Sequence, residues 1–332
     1  MKRIFLSCII AIAAVAYANA QQISVVSPSG TTTLYTDLNL AIQGAQAGST
    51  VYLSGGGLVS DTTKIKKKLT IIGLGHRPDN DKNNADGNTD VSGNLWFEGG
   101  SDGSAVMGLY LSGDVNIGTS TDDVNNFLLR YCNVNSVQVG NSNCQEIRIN
   151  QNYLRNTSSG GNSPIQFTNN IMHSAGWING GKLIGNVVIS NYYNNYEYQL
   201  QSVQIVNNIF KDRGNTSNGS GNNVVSNNMS NLYWGNNCIV PDNWEDVFIG
   251  PDNGVNPSSN FQLKDGAWKT GATDGGEIGI YGGETKFSNT ALPPGPRIVR
   301  KKIADQTDEN GNLRVEIEIQ VGSSVGGGGG SW

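Results

Sequence analysis

Six short strings between Phe127 and Ser230 repeat one order of apolar and polar positions. They read FLLRYCNV (127–134), IRINQNYL (147–154), IQFTNNIM (165–172), GKLIGNVV (181–188), VQIVNNIF (203–210) and NVVSNNMS (223–230). The first and third places are usually apolar, as in Phe127/Leu129, Ile147/Ile149, Ile165/Phe167 and Val203/Ile205. That two-residue period predicts a short strand with one buried face. The sixth place holds Asn152, Asn170, Asn186, Asn208 and Asn228, with Cys132 standing there in the first string. Successive sixth places are 20, 18, 16, 22 and 20 residues apart. Apolar residues then resume, as in Tyr153-Leu154, Ile171-Met172, Val187-Val188 and Ile209-Phe210. Recurrence at this spacing predicts stacked coils, each made of a strand, an Asn corner, a second strand and a polar loop. Asn tolerates left-handed backbone and is expected to turn the corner itself. One amide per coil, bonded to its copies above and below, predicts an interior ladder. A lone buried amide costs about 1–3 kcal/mol, and stacking removes that cost at every rung except the ends. Helical spacing fits poorly, and the intervening Gly and Asn residues disfavour helices.

The flanks complete the pattern. Thr36 to Ala47 is predicted as the one helix, capped by Asp37 or Thr36, with Leu38, Ala41, Ile42 and Ala45 on one face. Its predicted role is to cover the open first coil, which begins at VYL (51–53). Further early rungs are expected at KKLTIIGLG (67–75), Trp96-Phe97 and VMGLYL (106–111). The total comes to roughly 11 or 12 coils, a rod of about 50 Å at about 4.8 Å per strand. After Asn231, aromatic residues among Gly, Asn, Pro and Asp predict longer loops on the last coils, and GGEIGIYGG (275–283) reads as a closing rung. LPPGPR (292–297) is a Pro-rich linker. Beyond it a β-hairpin is predicted to turn near Asn310-Gly311, with Val315, Ile317, Ile319 and Val321 on one face. That face is expected to lie on the open end or flank of the coils. Gly326 to Gly330 is a flexible tail.

Over roughly residues 30–290 these strings resemble secreted right-handed parallel β-helix proteins of the pectin-lyase-like superfamily, most of all uncharacterised Bacteroidetes members. The resemblance implies an all-β, right-handed parallel β-helix (solenoid) with an N-terminal capping helix and a C-terminal β-hairpin. It implies no single activity, because the superfamily includes lyases, hydrolases, tailspikes and adhesins. The expected organisation is a signal peptide (1–20), the capped β-helix (21–291), the linker and hairpin (292–321) and the Gly-rich tail (322–332).

The signal peptide rests on Lys2 and Arg3, the apolar run Ile4 to Ala16 and the small residues Ala18-Asn19-Ala20. The run is too short to span a bilayer and nothing later is long enough, so an exported protein, secreted or at the cell surface, is expected. Removing the two basic residues leaves 22 − 2 = 20 Lys and Arg against 27 Asp and Glu, a net charge of −7. This argues against nucleic acid as a partner. Three cysteines remain, Cys132, Cys144 and Cys238. Cys132 reads as a small core residue in a ladder position, and a Cys132–Cys144 bridge is left open.

Three groups of residues carry candidate chemistry. Asp79, Asp81, Asn83, Asp86 and Asp90 place oxygens at a spacing like that of a calcium loop, with Asn84 where that loop needs glycine. Calcium is the one cofactor the sequence suggests. Arg155, His173 and Lys211 each stand three places after a ladder position, interrupted by Ile189, with Arg213 nearby. A polysaccharide lyase needs a base and a cation for the sugar carboxylate, and the resemblance points to Lys211, Arg213 or Arg155 as that base. The competing reading is a solvated outer face. Finally, Tyr192, Tyr193, Tyr196 and Tyr198, with Trp177, Tyr233 and Trp234, are rings of the kind that take the apolar faces of sugars, or that pack on the coils. The N-x-D, D-D, G-H-G and R-x-K order of polygalacturonases is not followed, since Gly75-His76 precedes Asn88-Thr89-Asp90 and Asp122-Asp123. The expected function is a non-catalytic glycan-binding or structural and adhesive protein of the cell surface. The second reading is a lyase of uronic-acid polysaccharide, assisted by calcium.

Overall fold

A computed structural model describes residues 22–76, 88–140, 143–160, 163–189, 200–211, 222–250, 260–289, 291–293, 296–307, 309 and 311–321. The chain is mostly β and forms a parallel β-solenoid. Two sheets receive alternate strands. The first has eleven strands, of which Ile23–Val26 and Thr32–Tyr35 stand at one edge and nine continue from Ser49–Leu53 to Val224–Ser226. The second has nine, from Gly56–Ile65 to Met229–Ser230. Neighbours in both series are parallel and in register, for example Ile147↔Ile165↔Gly181 in the first sheet and Tyr153↔Ile171↔Val187 in the second. Described coils are fewer than the 11 or 12 expected, because after Ser230 the described residues continue the two solenoid sheets only by isolated bridges such as Met229↔Ile239.

The alternation read from the strings decides what is inside. Leu129, Ile149, Phe167, Leu183 and Ile205, at the third place, are all buried in one continuous core. Each such side chain contributes about 1.5–3 kcal/mol by leaving water. In the second sheet the strands bend midway, where the register shifts between Val59 and Thr62. Gly93 sits at that bend with φ +116°, and a Cβ there would lie 1.4 Å from the Ser60 carbonyl oxygen, so glycine is required.

The helix is shorter than its apolar pattern, Leu38–Gly44, with the Asp37 carboxylate accepting from the Leu40 N–H. Leu38, Ala41, Ile42 and Ala45 are buried on the core as their spacing predicts. Pro296–Thr307 and Leu313–Val321 pair antiparallel. Leu313 and Val315, at the start of the alternating face, are exposed.

A second apolar cluster corrects the reading of the C-terminal third. The residue directly after each late ladder position points outward, whereas the next one points in. Tyr153, Ile171, Val187, Ile209 and Met229 form this outer row and pack with Val247, Phe248, Phe261, Ile278, Ile280 and Phe287. Residues 275–283 are therefore not a rung of the solenoid. They belong to a strap laid over its flank.

Candidate functional site

The corner between the two sheets is built from a pair of residues with opposite duties. The first residue of each pair adopts left-handed backbone: Tyr131 (φ +57°), Gln151 (+55°), Asn169 (+51°), Gly185 (+65°), Asn207 (+59°) and Asn227 (+54°). The ladder residue follows it, so the turn is made one place earlier than the sequence suggested. That reversal aims the second side chain into the core, where Asn152, Asn170, Asn186, Asn208 and Asn228 are fully buried. The inner amides of Asn170, Asn186, Asn208 and Asn228 are saturated. Asn186 Oδ1 accepts from the Asn170 backbone N–H (2.9 Å) and from Asn170 Nδ2 (3.0 Å). Its own Nδ2 donates to the Phe167 carbonyl and to Asn208 Oδ1, both at 2.9 Å. Cys132 heads the column, donating its backbone N–H to Asn152 Oδ1 at 2.9 Å. Burial pushes its thiol pKa up to about 12. None of Cys132, Cys144 and Cys238 forms a disulfide.

The outer member of each pair holds the strap. Asn227 Nδ2 donates to the Gly271 carbonyl (2.9 Å), and Asn207 Oδ1 accepts from the Thr273 N–H (3.0 Å). Asn169 Nδ2 donates to the Ile280 carbonyl (3.0 Å), and Gln151 Oε1 accepts from the Ser288 N–H (2.9 Å). Further on, Leu292 and Pro293 lie against the Gly75 and Gly108 corners. From Gly271 to Pro293 the strap thus climbs from the last coils back toward the first.

Gly185 breaks the series of outer amides. It has no side chain to offer, and between the Asn169 and Asn207 clamps a cleft of about 240 Å³ opens. Its walls are Asn150, Thr168, Asn169, Ile184, Gly185 and Asn207 on the solenoid side and Gly279, Gly282, Gly283, Glu284 and Thr285 on the strap. Asn150 Nδ2 donates to Thr168 Oγ1 at 2.7 Å, and Asn150 Oδ1 is buried with no hydrogen-bond partner among the described residues. Amides and hydroxyls both donate and accept, and among the described residues Glu284 is the one ionisable group of the lining.

The residues singled out from sequence lie elsewhere. Arg155, His173, Ile189 and Lys211 do stack coil upon coil, as the bonds from His173 N–H to the Leu154 carbonyl, Ile189 N–H to Met172 and Lys211 N–H to Val188 require. Arg155 is exposed, whereas Ile189 is buried in the outer cluster. None of them lines the cleft. Arg213, Tyr192, Tyr193, Tyr196 and Tyr198 fall outside the described residues, as do Asp79, Asp81, Asn83 and Asp86. Asp90 is exposed on the strand Thr89–Phe97, and among the described residues no three His, Cys, Asp or Glu side chains converge. Trp234 is a core residue rather than an exposed platform: it is 5 % exposed and its ring meets Phe210 edge-on at 5.2 Å. Of that group's described rings, Tyr233 and Trp177 are exposed. Sequence reasoning missed Asn150, Thr168, Gly185, Glu284 and Thr285. The available signal was the doublet Asn-Asn at 169–170, 207–208 and 227–228, replaced by Gly-Asn at 185–186.

Comparison with protein-family models, with curated proteins and with solved structures returned no match. The class the coordinates define is a parallel β-solenoid with a strapped flank.

Proposed function

We propose that the protein is an exported, right-handed β-helix of the pectin-lyase-like kind that binds neutral glycan at the seam cleft without cleaving it. In this reading the helix Leu38–Gly44 caps the first coil and the strands Pro296–Thr307 and Leu313–Val321 form a C-terminal hairpin appendage. Export rests on the run from Lys2 to Ala20.

The lining of the cleft carries the proposal. Sugar hydroxyls donate and accept, as do Asn150, Thr168 and Thr285. A uronic-acid chain meets the opposite situation. Glu284 repels its carboxylates, and Arg155 and Lys211 lie outside the cleft. A lyase is therefore the second reading, and would have to work at the Arg155–Lys211 column.

The test is retention on immobilised neutral and acidic polysaccharides, run beside ultraviolet absorbance for unsaturated uronate. Neutral glycans held by the native protein and released by Thr168→Val or Glu284→Gln would support the binding reading. Rising absorbance with uronic-acid polysaccharide would overturn it in favour of the lyase. Neither retention nor absorbance would leave a structural or adhesive role.

A further inference from the structure

The two ends of the first sheet share an unusual chemistry. Its starting edge is the strand Thr32–Tyr35, which among the described residues has no partner strand on its outer side. Its finishing edge is Val224–Ser226, extended by the bridge Ser226↔Asn236. An open edge is a template for another chain, and proteins ordinarily blunt it with Lys, Pro or inward charge. Here neither edge is blunted by charge. From Gln22 to Thr36, and again from Gly214 to Pro241, there is no Asp, Glu, Lys or Arg. Exposed apolar side chains gather at the same places: Leu34 (56 %) at the start, Val224 (63 %) and Tyr233 (72 %) at the finish. The second sheet differs, because its starting edge Gly56–Ile65 carries Asp61 and Lys64.

Strand direction also agrees. Ile23–Val26 is antiparallel both to Thr32–Tyr35 and to Ser49–Leu53. Thr32–Tyr35 therefore runs the same way as all nine strands that follow. A second copy translated along the solenoid would bring its Thr32–Tyr35 beside the last coil in parallel, the pairing already used throughout the sheet.

We propose that copies of this chain associate end to end, the strand Thr32–Tyr35 of one copy continuing the first sheet beyond Val224–Ser226 and Asn236 of the next. The contact joins two different surfaces, so it does not close on itself and generates an open filament. It is independent of the glycan cleft, which lies on the flank.

Sedimentation velocity and negative-stain microscopy of the purified protein test this. Mean size of the native chain is expected to rise with concentration, with elongated particles of one width. Leu34→Lys, or Thr33→Lys as a second variant at the same edge, should stop growth, and so should Tyr233→Lys at the other edge. All three positions are on exposed segments, and circular dichroism checks that the fold is kept. The decisive sample mixes Leu34→Lys with Tyr233→Lys. Each copy then has one intact end, and the mixture should stop at a dimer that neither variant forms alone. A native chain that stays monomeric at every concentration would overturn the proposal, as would a closed dimer formed by either variant alone.

Discussion

Replacing Asn186 by Leu keeps the branched shape of the side chain and removes its polar atoms, and the consequences can be counted bond by bond. The Asn170 backbone N–H and one Asn170 Nδ2 proton lose their acceptor, and the Phe167 carbonyl loses its donor. Asn208 Oδ1 keeps the bond from the residue-186 backbone. Three buried groups are stranded, at about 1–3 kcal/mol each, giving about 3–9 kcal/mol. A whole domain is typically stable by about 5–15 kcal/mol, so the variant stands near the limit of folding. Asn152→Leu strands only two groups, the Cys132 N–H and the Leu129 carbonyl, and should cost about two-thirds as much. Urea denaturation of the native chain and both variants measures this, with the midpoints ordered native, Asn152→Leu, Asn186→Leu. Asn186→Leu within about 1 kcal/mol of native, less than a single stranded group costs, would refute the ladder as a bonded column.

Other expectations follow from the same geometry. Cys132→Asn should lengthen the column: Asn152 Oδ1 gains a second donor, and the Leu109 N–H that now faces the thiol gains an oxygen. The expected gain is about 0.5–1.5 kcal/mol in urea, and a loss of stability would refute it. Asn207→Ala frees the Thr273 amide and should speed its hydrogen exchange about two- to tenfold while the ladder amides stay unchanged. Equal acceleration in the ladder would show that strap and solenoid open as one unit. Glu98 is held by Lys66 (2.9 Å) and Lys64 (3.2 Å). The Lys66 hydrogen bond, and then Lys64, keep its carboxyl pKa below the ordinary value. Its contribution is thus present above the ordinary glutamate pKa of about 4.3 and lost as pH falls below that and through the lowered folded value. Glu98→Gln should be less stable than native at pH 7 and lose that difference in acid; a constant difference at every pH would contradict this assignment.

What was legible in the sequence is what repeats. The inward places, the five ladder amides and Cys132 as their substitute were visible because each coil solves the same packing problem in the same order. Direction within the corner was not. In an Asn-Asn doublet either residue suits a left-handed turn, and only the fold shows that the first takes it and the second is buried. The strap was illegible for a different reason. Its apolar residues, such as Ile278, Ile280 and Phe287, bury against the outside of a sheet and keep no period of their own. The hint lay in the partner: Tyr153, Ile171, Val187, Ile209 and Met229 are apolar where Asn133 stands in an earlier coil. The cleft depends on the meeting of segments 284 − 168 = 116 residues apart in sequence, Thr168 with Glu284, and no local pattern marks it.

The strap's path, from the Asn227 corner back to Gly75, runs against the direction in which a ribosome delivers the chain. Every coil must emerge and stack before the segment that fastens them exists. A nascent or truncated polypeptide therefore displays Ile171, Val187, Ile209 and Met229 to solvent as an uninterrupted greasy stripe. Completion hides it in one stroke. That stripe is a built-in label separating unfinished molecules from finished ones, readable by any chaperone or protease that searches for apolar surface.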